Sequence, residues 1–175
     1  MNNIFLYGIV VVCAVTAFRG KDKFVKAAFT ITLVADAFLL FGAERFYPFA
    51  VAVFAGAHVF YSARFTKDRR AMRAPTALWA LSLLFPSLYI ASGVYAVCLI
   101  FHAVSALKSR RVLCCAGAVL FVVCDICVAL YNVSDAAWAR DLWKYAWLFY
   151  APALLFLALS GQGKTSQKVN VFVRL

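Results

Sequence analysis

Charge is what this sequence has least of. Only 14% of its 175 residues are Asp, Glu, Lys or Arg, against 66% hydrophobic and 17% aromatic. So little polar surface cannot enclose a water-soluble globule, and the chain reads as an integral membrane protein. Acids are scarcest, seven in all, so 18 basic residues leave a net charge of +11. In a soluble protein that surplus would suggest nucleic acid; here it is a topology signal, and no nucleic-acid partner is expected. Signs of cysteine chemistry are missing too. Cys13, Cys98, Cys114, Cys115, Cys124 and Cys127 all fall inside apolar runs, where cysteine acts as a small packing residue. The Cys124-x2-Cys127 spacing has no second pair at finger distance, so neither a disulfide framework nor a metal or redox site is expected. No basic segment precedes the first apolar run and no small-residue cleavage site follows it, so it is read as a span, not a removable signal. The stretch Gly161 to Thr165 lacks the first glycine of a phosphate loop, Ala158 standing there, and it follows a span instead of a strand.

What is present is a succession of apolar runs. About 20 helical residues cross roughly 30 Å of hydrocarbon, and the runs fall at Ile4 to Phe18, Phe24 to Phe41, Phe46 to Ala63, Pro75 to Leu88, Ile90 to Leu107, Val112 to Tyr131 and Leu142 to Ser160. The expected fold is therefore all-α, a polytopic bundle of seven spans. The fourth and fifth runs are divided only by the turn signals Pro86-Ser87 and Ser92-Gly93. Charge supports the division, because 15 of the 18 basic residues fall in alternate connections and at the end of the chain. Only Arg45, Arg140 and Lys144 fall in the others. The positive-inside rule then places the amino terminus outside and the carboxyl terminus in the cytoplasm. Trp138, Trp143, Trp147 and Tyr47 are expected in an interfacial belt at the outer ends. Residues 1–160 form one transmembrane domain, and 161–175 a short basic cytoplasmic tail beside anionic lipid.

Inside the spans few residues can carry chemistry. The hairpin from Lys26 to Phe65 carries Asp36 on its first helix and His58 on its second. An acid near the middle of a span costs on the order of 2.5 to 3.5 kcal/mol on insertion scales and usually faces a bundle interior or watery cavity. Asp36 lies about 18 Å along its helix from Phe24, and Asp125 about 20 Å along a parallel helix from Val112, by the rise of ~1.5 Å per residue. Two acids at one depth can share a cavity and divide the roles of proton donor and acceptor. Each can equally be a hydrogen-bonded packing residue. His58 and Tyr61 share a helical face with Phe54 and Phe65, roughly 9 Å to the cytoplasmic side of the acids by the same rise. Tyr150 lies at the acids' level as a hydrogen-bond donor. His102, nearer the inner boundary, reads as packing. A phosphate entering from outside would meet Arg45, Arg140 and Lys144; one entering from the cytoplasm would meet Lys26 and Arg64.

These residues also carry a likeness. Asp36 followed by an apolar turn, Phe54-x3-His58-x2-Tyr61-x3-Phe65, Gly117-Ala118-x2-Phe121-x3-Asp125, and Tyr150 in the last span together resemble the YhhN family of lysoplasmalogenases, over about Lys26 to Ser160. The resemblance implies a membrane hydrolase that cleaves the vinyl ether bond of a lysophospholipid to a fatty aldehyde and a glycerophospho-base. It implies Asp36 and Asp125 as the catalytic pair, His58, Tyr61, Tyr150 and Lys26 as substrate-binding or supporting residues, and no cofactor or metal. It also implies eight spans, and a cell inner membrane or endoplasmic reticulum-like location according to the kind of cell. The sequence departs from the family pattern where Cys124 replaces a serine, Ala27 replaces a proline, and Leu154 follows the Tyr150 motif instead of glutamine.

Other classes fit less of the chain. A proton-coupled transporter uses intramembrane acids, but paired glycine- or proline-broken spans are missing. A non-catalytic lipid-binding relative would keep the fold alone. An intramembrane aspartic protease needs Gly-x-Gly-Asp, whereas Val34-Ala35-Asp36 and Val123-Cys124-Asp125 stand here. A retinal protein needs a lysine in mid-span, and Lys144 lies at the end of its helix.

Overall fold

A computed structural model describes residues 2–66, 70–85, 87–134 and 136–162. The basic tail beyond 162, the Lys67 to Arg69 part of one basic cluster, Pro86 and the Arg140 side chain lie outside the described residues. The described residues hold no strand. Seven α-helices follow in order: α1 Asn3–Arg19, α2 Lys23–Phe41, α3 Tyr47–Phe65, α4 Arg73–Leu84, α5 Leu88–Ser109, α6 Val112–Val133 and α7 Leu142–Ser160.

Every expected run is a helix, because in hydrocarbon each peptide group must find its partner within the segment. Their ends follow local chemistry. The Asn2 side chain caps α1 by accepting from Ile4 N, Asp22 caps α2 from Phe24 N and Val25 N, and Ser87 caps α5 from Ile90 N. The division between the fourth and fifth runs is real, since α4 stops at Leu84 and α5 restarts after Ser87. Five helices have the length and composition to cross a membrane: α2, α3 with its preceding single turn from Glu44, α5, α6 and α7. Helix α4 differs from expectation. Its 12 residues reach about 18 Å, and the 17 of α1 about 25 Å, at ~1.5 Å per residue.

Helices α1, α2, α3, α5, α6 and α7 pack in that order, and α7 returns to α1 to close a ring. Helix α4 lies outside it, against α3 and α5. The docking of α4 is specific: Trp79 covers Gly56 of α3, where an added Cβ would stand 2.6 Å from the indole ring, and Trp79 Nε1 donates to the Ala52 carbonyl at 3.1 Å. Helix α3 is the hub, 56% buried inside the protein against 28–39% for the other candidate spans. Small residues at 50, 52, 55, 56 and 57 let its neighbours approach closely. Large apolar side chains such as Val12, Ile100, Val119, Ile126 and Leu148 face outward, a surface suited to lipid and not to water. Trp147 corrects the expected belt: it is only 9% exposed and packs edge-on against Tyr150 at 5.1 Å, whereas Trp138 and Trp143 are exposed.

The contact between α6 and α7 depends on Gly117. A Cβ there would meet Leu157 Cγ at 2.8 Å and the Ala153 carbonyl oxygen at 3.2 Å. Gly117→Ala is therefore expected to cost about 1–3 kcal/mol through overpacking, read as a lower Tm in detergent. Gly93→Ala, with nothing within 4 Å of the new atom, should leave Tm unchanged or raise it. Equal behaviour of the two would remove close packing as the reason for the glycine.

The basic end of the bundle is tied by one side chain. Arg64, in the last turn of α3 and 6% exposed, pairs through Nε with Asp22 at 2.5 Å. Its terminal nitrogens donate to Ser160 Oγ at 2.6 Å and the Ser160 carbonyl at 2.5 Å. Arg64 thus joins the start of α2 to the end of α7, and its guanidinium is engaged by the protein instead of standing open to a phosphate.

Candidate functional site

The polar residues of the ring interior and the apolar ones beside them sit where helical period puts them, on faces shared at three-, four- or seven-residue intervals. Thr32 and Asp36 lie on one face of α2, Phe54, His58 and Tyr61 on α3, Tyr95 and His102 on α5, Phe121 and Asp125 on α6, and Tyr150 and Leu154 on α7. Several of their contacts join helices that are not neighbours in the ring, so they cross its middle.

Each carboxyl group has a tyrosine. Asp36, 4% exposed, accepts a hydrogen bond of 2.5 Å from the Tyr150 hydroxyl, across from α2 to α7. Asp125, partly exposed, accepts one of 2.7 Å from the Tyr95 hydroxyl of α5. A buried polar group left without a partner costs about 1–3 kcal/mol, which is why an acid inside a bundle comes with a donor. Phe54 connects the two couples: its ring stacks on Tyr95 at 5.7 Å and 10° and meets Tyr150 at 6.2 Å. Phe121 packs edge-on against Tyr150 at 5.4 Å and against His58 at 5.2 Å. The two acids and their donors are thus joined by one cluster of aromatic rings. Among the described residues no hydrogen bond links the carboxyl groups directly.

Beyond Tyr95 the polar contacts continue. His58 Nε2 lies 3.2 Å from the Tyr95 oxygen, and His58 Nδ1 lies 3.1 Å from His102 Nδ1. Both histidines are fully buried. The Tyr61 ring stacks on His102 at 5.1 Å and 20°. Among the described residues His102 Nε2, Tyr61 Oη and Thr32 Oγ1 are buried and make no hydrogen bond of good geometry.

The sequence-derived site residues are therefore gathered unevenly. Asp36 and Tyr150 bond each other. Asp125 and His58 are brought together through Tyr95, although the count of residues along the helices separated them. Tyr61 joins the set through its stacking on His102. Lys26 stands ten residues before Asp36 on α2, about 15 Å away at ~1.5 Å per residue, at the basic end. Sequence reasoning passed over Tyr95 and took His102 for packing. Their signal was spacing: a tyrosine and a histidine seven residues apart occupy one face of an otherwise apolar helix. Among the described residues no three of His, Cys, Asp and Glu are grouped as a metal site requires.

Comparison with known proteins gives one match. A family model described as the YhhN family matches residues 3–161. No curated protein and no solved structure matches the chain.

Proposed function

Since the chain belongs to the YhhN family, we propose that it is a membrane hydrolase that cleaves the vinyl ether bond of lysoplasmalogen-type lysophospholipids. Asp36 and Asp125 serve as its acid and base. The observation that carries this reading is the pair of intramembrane carboxyl groups, each bonded by a tyrosine hydroxyl and both tyrosines lying against Phe54.

One carboxylic acid gives its proton to the vinyl carbon remote from oxygen. The double-bond electrons form the new C–H bond and leave an oxocarbenium cation. The other carboxylate stands beside that cation and takes a proton from the water that attacks it, the division of labour two acids perform at glycosidic bonds. The hemiacetal then breaks its C–O bond to glycerol. Its hydroxyl proton passes to water while the departing oxygen takes the proton held by the second carboxylate. Fatty aldehyde and glycerophospho-base leave, the second carboxylate is reset, and the first takes up one proton before the next turnover. The tyrosines hold the carboxyl groups in place throughout, and the aromatic wall keeps bulk water from the cation.

Purified protein in lipid nanodiscs is expected to release aldehyde from lysoplasmalogen and no fatty acid from the matching ester lysophospholipid. Fatty acid from the ester, or no aldehyde from the vinyl ether, overturns the assignment. The histidines beyond Tyr95 also suit a proton-coupled carrier. Proton uptake with solute by proteoliposomes, without lipid hydrolysis, would select that second reading.

A further inference from the structure

The hydrogen-bonding capacity of the groups behind Asp125 is set by valence. Tyr95 has one proton, and two neighbours within bonding distance of its oxygen: Asp125 Oδ2 at 2.7 Å and His58 Nε2 at 3.2 Å. If that proton points to an ionised Asp125, the tyrosine oxygen is left as acceptor and His58 Nε2 must carry a proton. A neutral His58 then has a bare Nδ1, and His102 Nδ1, 3.1 Å away, must be the donor to it. The last atom, His102 Nε2, is consequently a bare lone pair, buried and without a hydrogen-bond partner among the described residues. Neutral imidazole carries one donor and one acceptor, so each assignment forces the next.

We infer that Tyr95, His58 and His102 form a proton relay that charges Asp125, taking up a proton at His102 Nε2 and delivering one at the carboxylate. The balance closes. A proton arriving on Nε2 lets His102 release its Nδ1 proton to His58, which releases its Nε2 proton to Tyr95, which releases its own to Asp125. Every bond in the chain then runs the opposite way, and Asp125 holds the proton. Tyr150 and Asp36 lack such a connection: among the described residues each hydrogen-bonds only the other. The asymmetry makes Asp125 the proton donor and Asp36 the base, an assignment that rests on the hydrolase reading. The relay itself does not. The far end of the relay is displaced from the acids along α5, since His102 lies seven residues beyond Tyr95 towards the basic end of that helix. His58 and His102 act through another group and are positioning residues, not catalytic ones.

Two variants separate a relay from a support. In His102→Asn the amide nitrogen takes the place of Nδ1 and still orients His58, but passes no proton. His102→Phe keeps a ring against Tyr61 and removes both nitrogens. Infrared spectra of reconstituted protein transferred to deuterium oxide follow the acid C=O band of Asp125, assigned by its loss in Asp125→Asn. The relay predicts that this band exchanges about tenfold or more slowly in both variants, less than the roughly 10²- to 10⁴-fold of a group acting directly on the reacting atoms, because Asp125 itself remains. Exchange at the wild-type rate in the folded His102→Asn protein, or no such band in the wild type, overturns the relay. In turnover, His102→Asn should lower kcat for aldehyde release by a similar factor of about ten, with KM unchanged and a larger solvent isotope effect. Unaltered kcat and isotope effect would overturn it. Should the wild type release no aldehyde, the hydrolase reading fails while the exchange measurement still decides the relay.

Discussion

Asp125→Asn and Asp36→Asn are each expected to remain folded and membrane-inserted while aldehyde release falls by about 10²- to 10⁴-fold. An asparagine oxygen accepts the tyrosine hydroxyl as the carboxylate did, so the bonds from Tyr95 and Tyr150 to these positions survive. What disappears is the capacity to give a proton to the vinyl carbon or to take one from water. In the proposed reaction the two acids act as a unit, so the double variant should lose little more than the worse single one. KM should change far less than kcat, because the loss is of groups that work in the transition state. Near wild-type turnover in either variant, at normal Tm, removes that residue from the chemistry.

Arg64→Ala is expected to give the largest loss of stability, about 3 kcal/mol, the scale for breaking a buried ion pair from one side. Its guanidinium engages Asp22, Ser160 Oγ and the Ser160 carbonyl, partners on different helices that do not otherwise share a donor. Removal leaves the Asp22 carboxylate without its counter-ion at the start of α2 and the end of α7 without its donor. Arg64→Lys should recover only part of the loss, since an ammonium cannot direct a planar fork at a carboxylate and a carbonyl together. Thermal unfolding in detergent reads both variants. A wild-type Tm for Arg64→Ala would mean that the cluster holds nothing together. In contrast to the aspartate variants, protein that survives purification should keep wild-type kcat, because Arg64 is at the basic end and not among the residues gathered around the two acids.

The helices were legible because hydropathy is a local property: a run of about 20 apolar residues must satisfy its backbone within itself, whatever it packs against. All seven runs were found within a few residues of their ends. The count of crossings was less legible, because α4 is 12 residues long and its apolar run includes the turn that follows it. Asp36 and Asp125 were legible for a related reason, since the cost of an acid in hydrocarbon can be read from the sequence around it. Trp147 and Arg64 were not. Each stands near a span end, where one reads as belt and the other as a free cation, yet packing drew Trp147 against Tyr150 and Arg64 onto Asp22.

The sequence by itself determined that this chain is a membrane bundle, where its helices begin and end, and that two acids lie deep inside. Tertiary structure alone decided what those acids touch. Distance along a helix is counted in residues, but direction around it becomes a contact only when the order of helices is known. Here α3 lies beside α5 instead of α4, and α7 closes against α1. That order sets Tyr150 on Asp36, and it puts Tyr95 between Asp125 and a histidine judged too far away. Both bond one hydroxyl oxygen, so the reach of side chains closes a difference in depth that a count along the backbone had set between them.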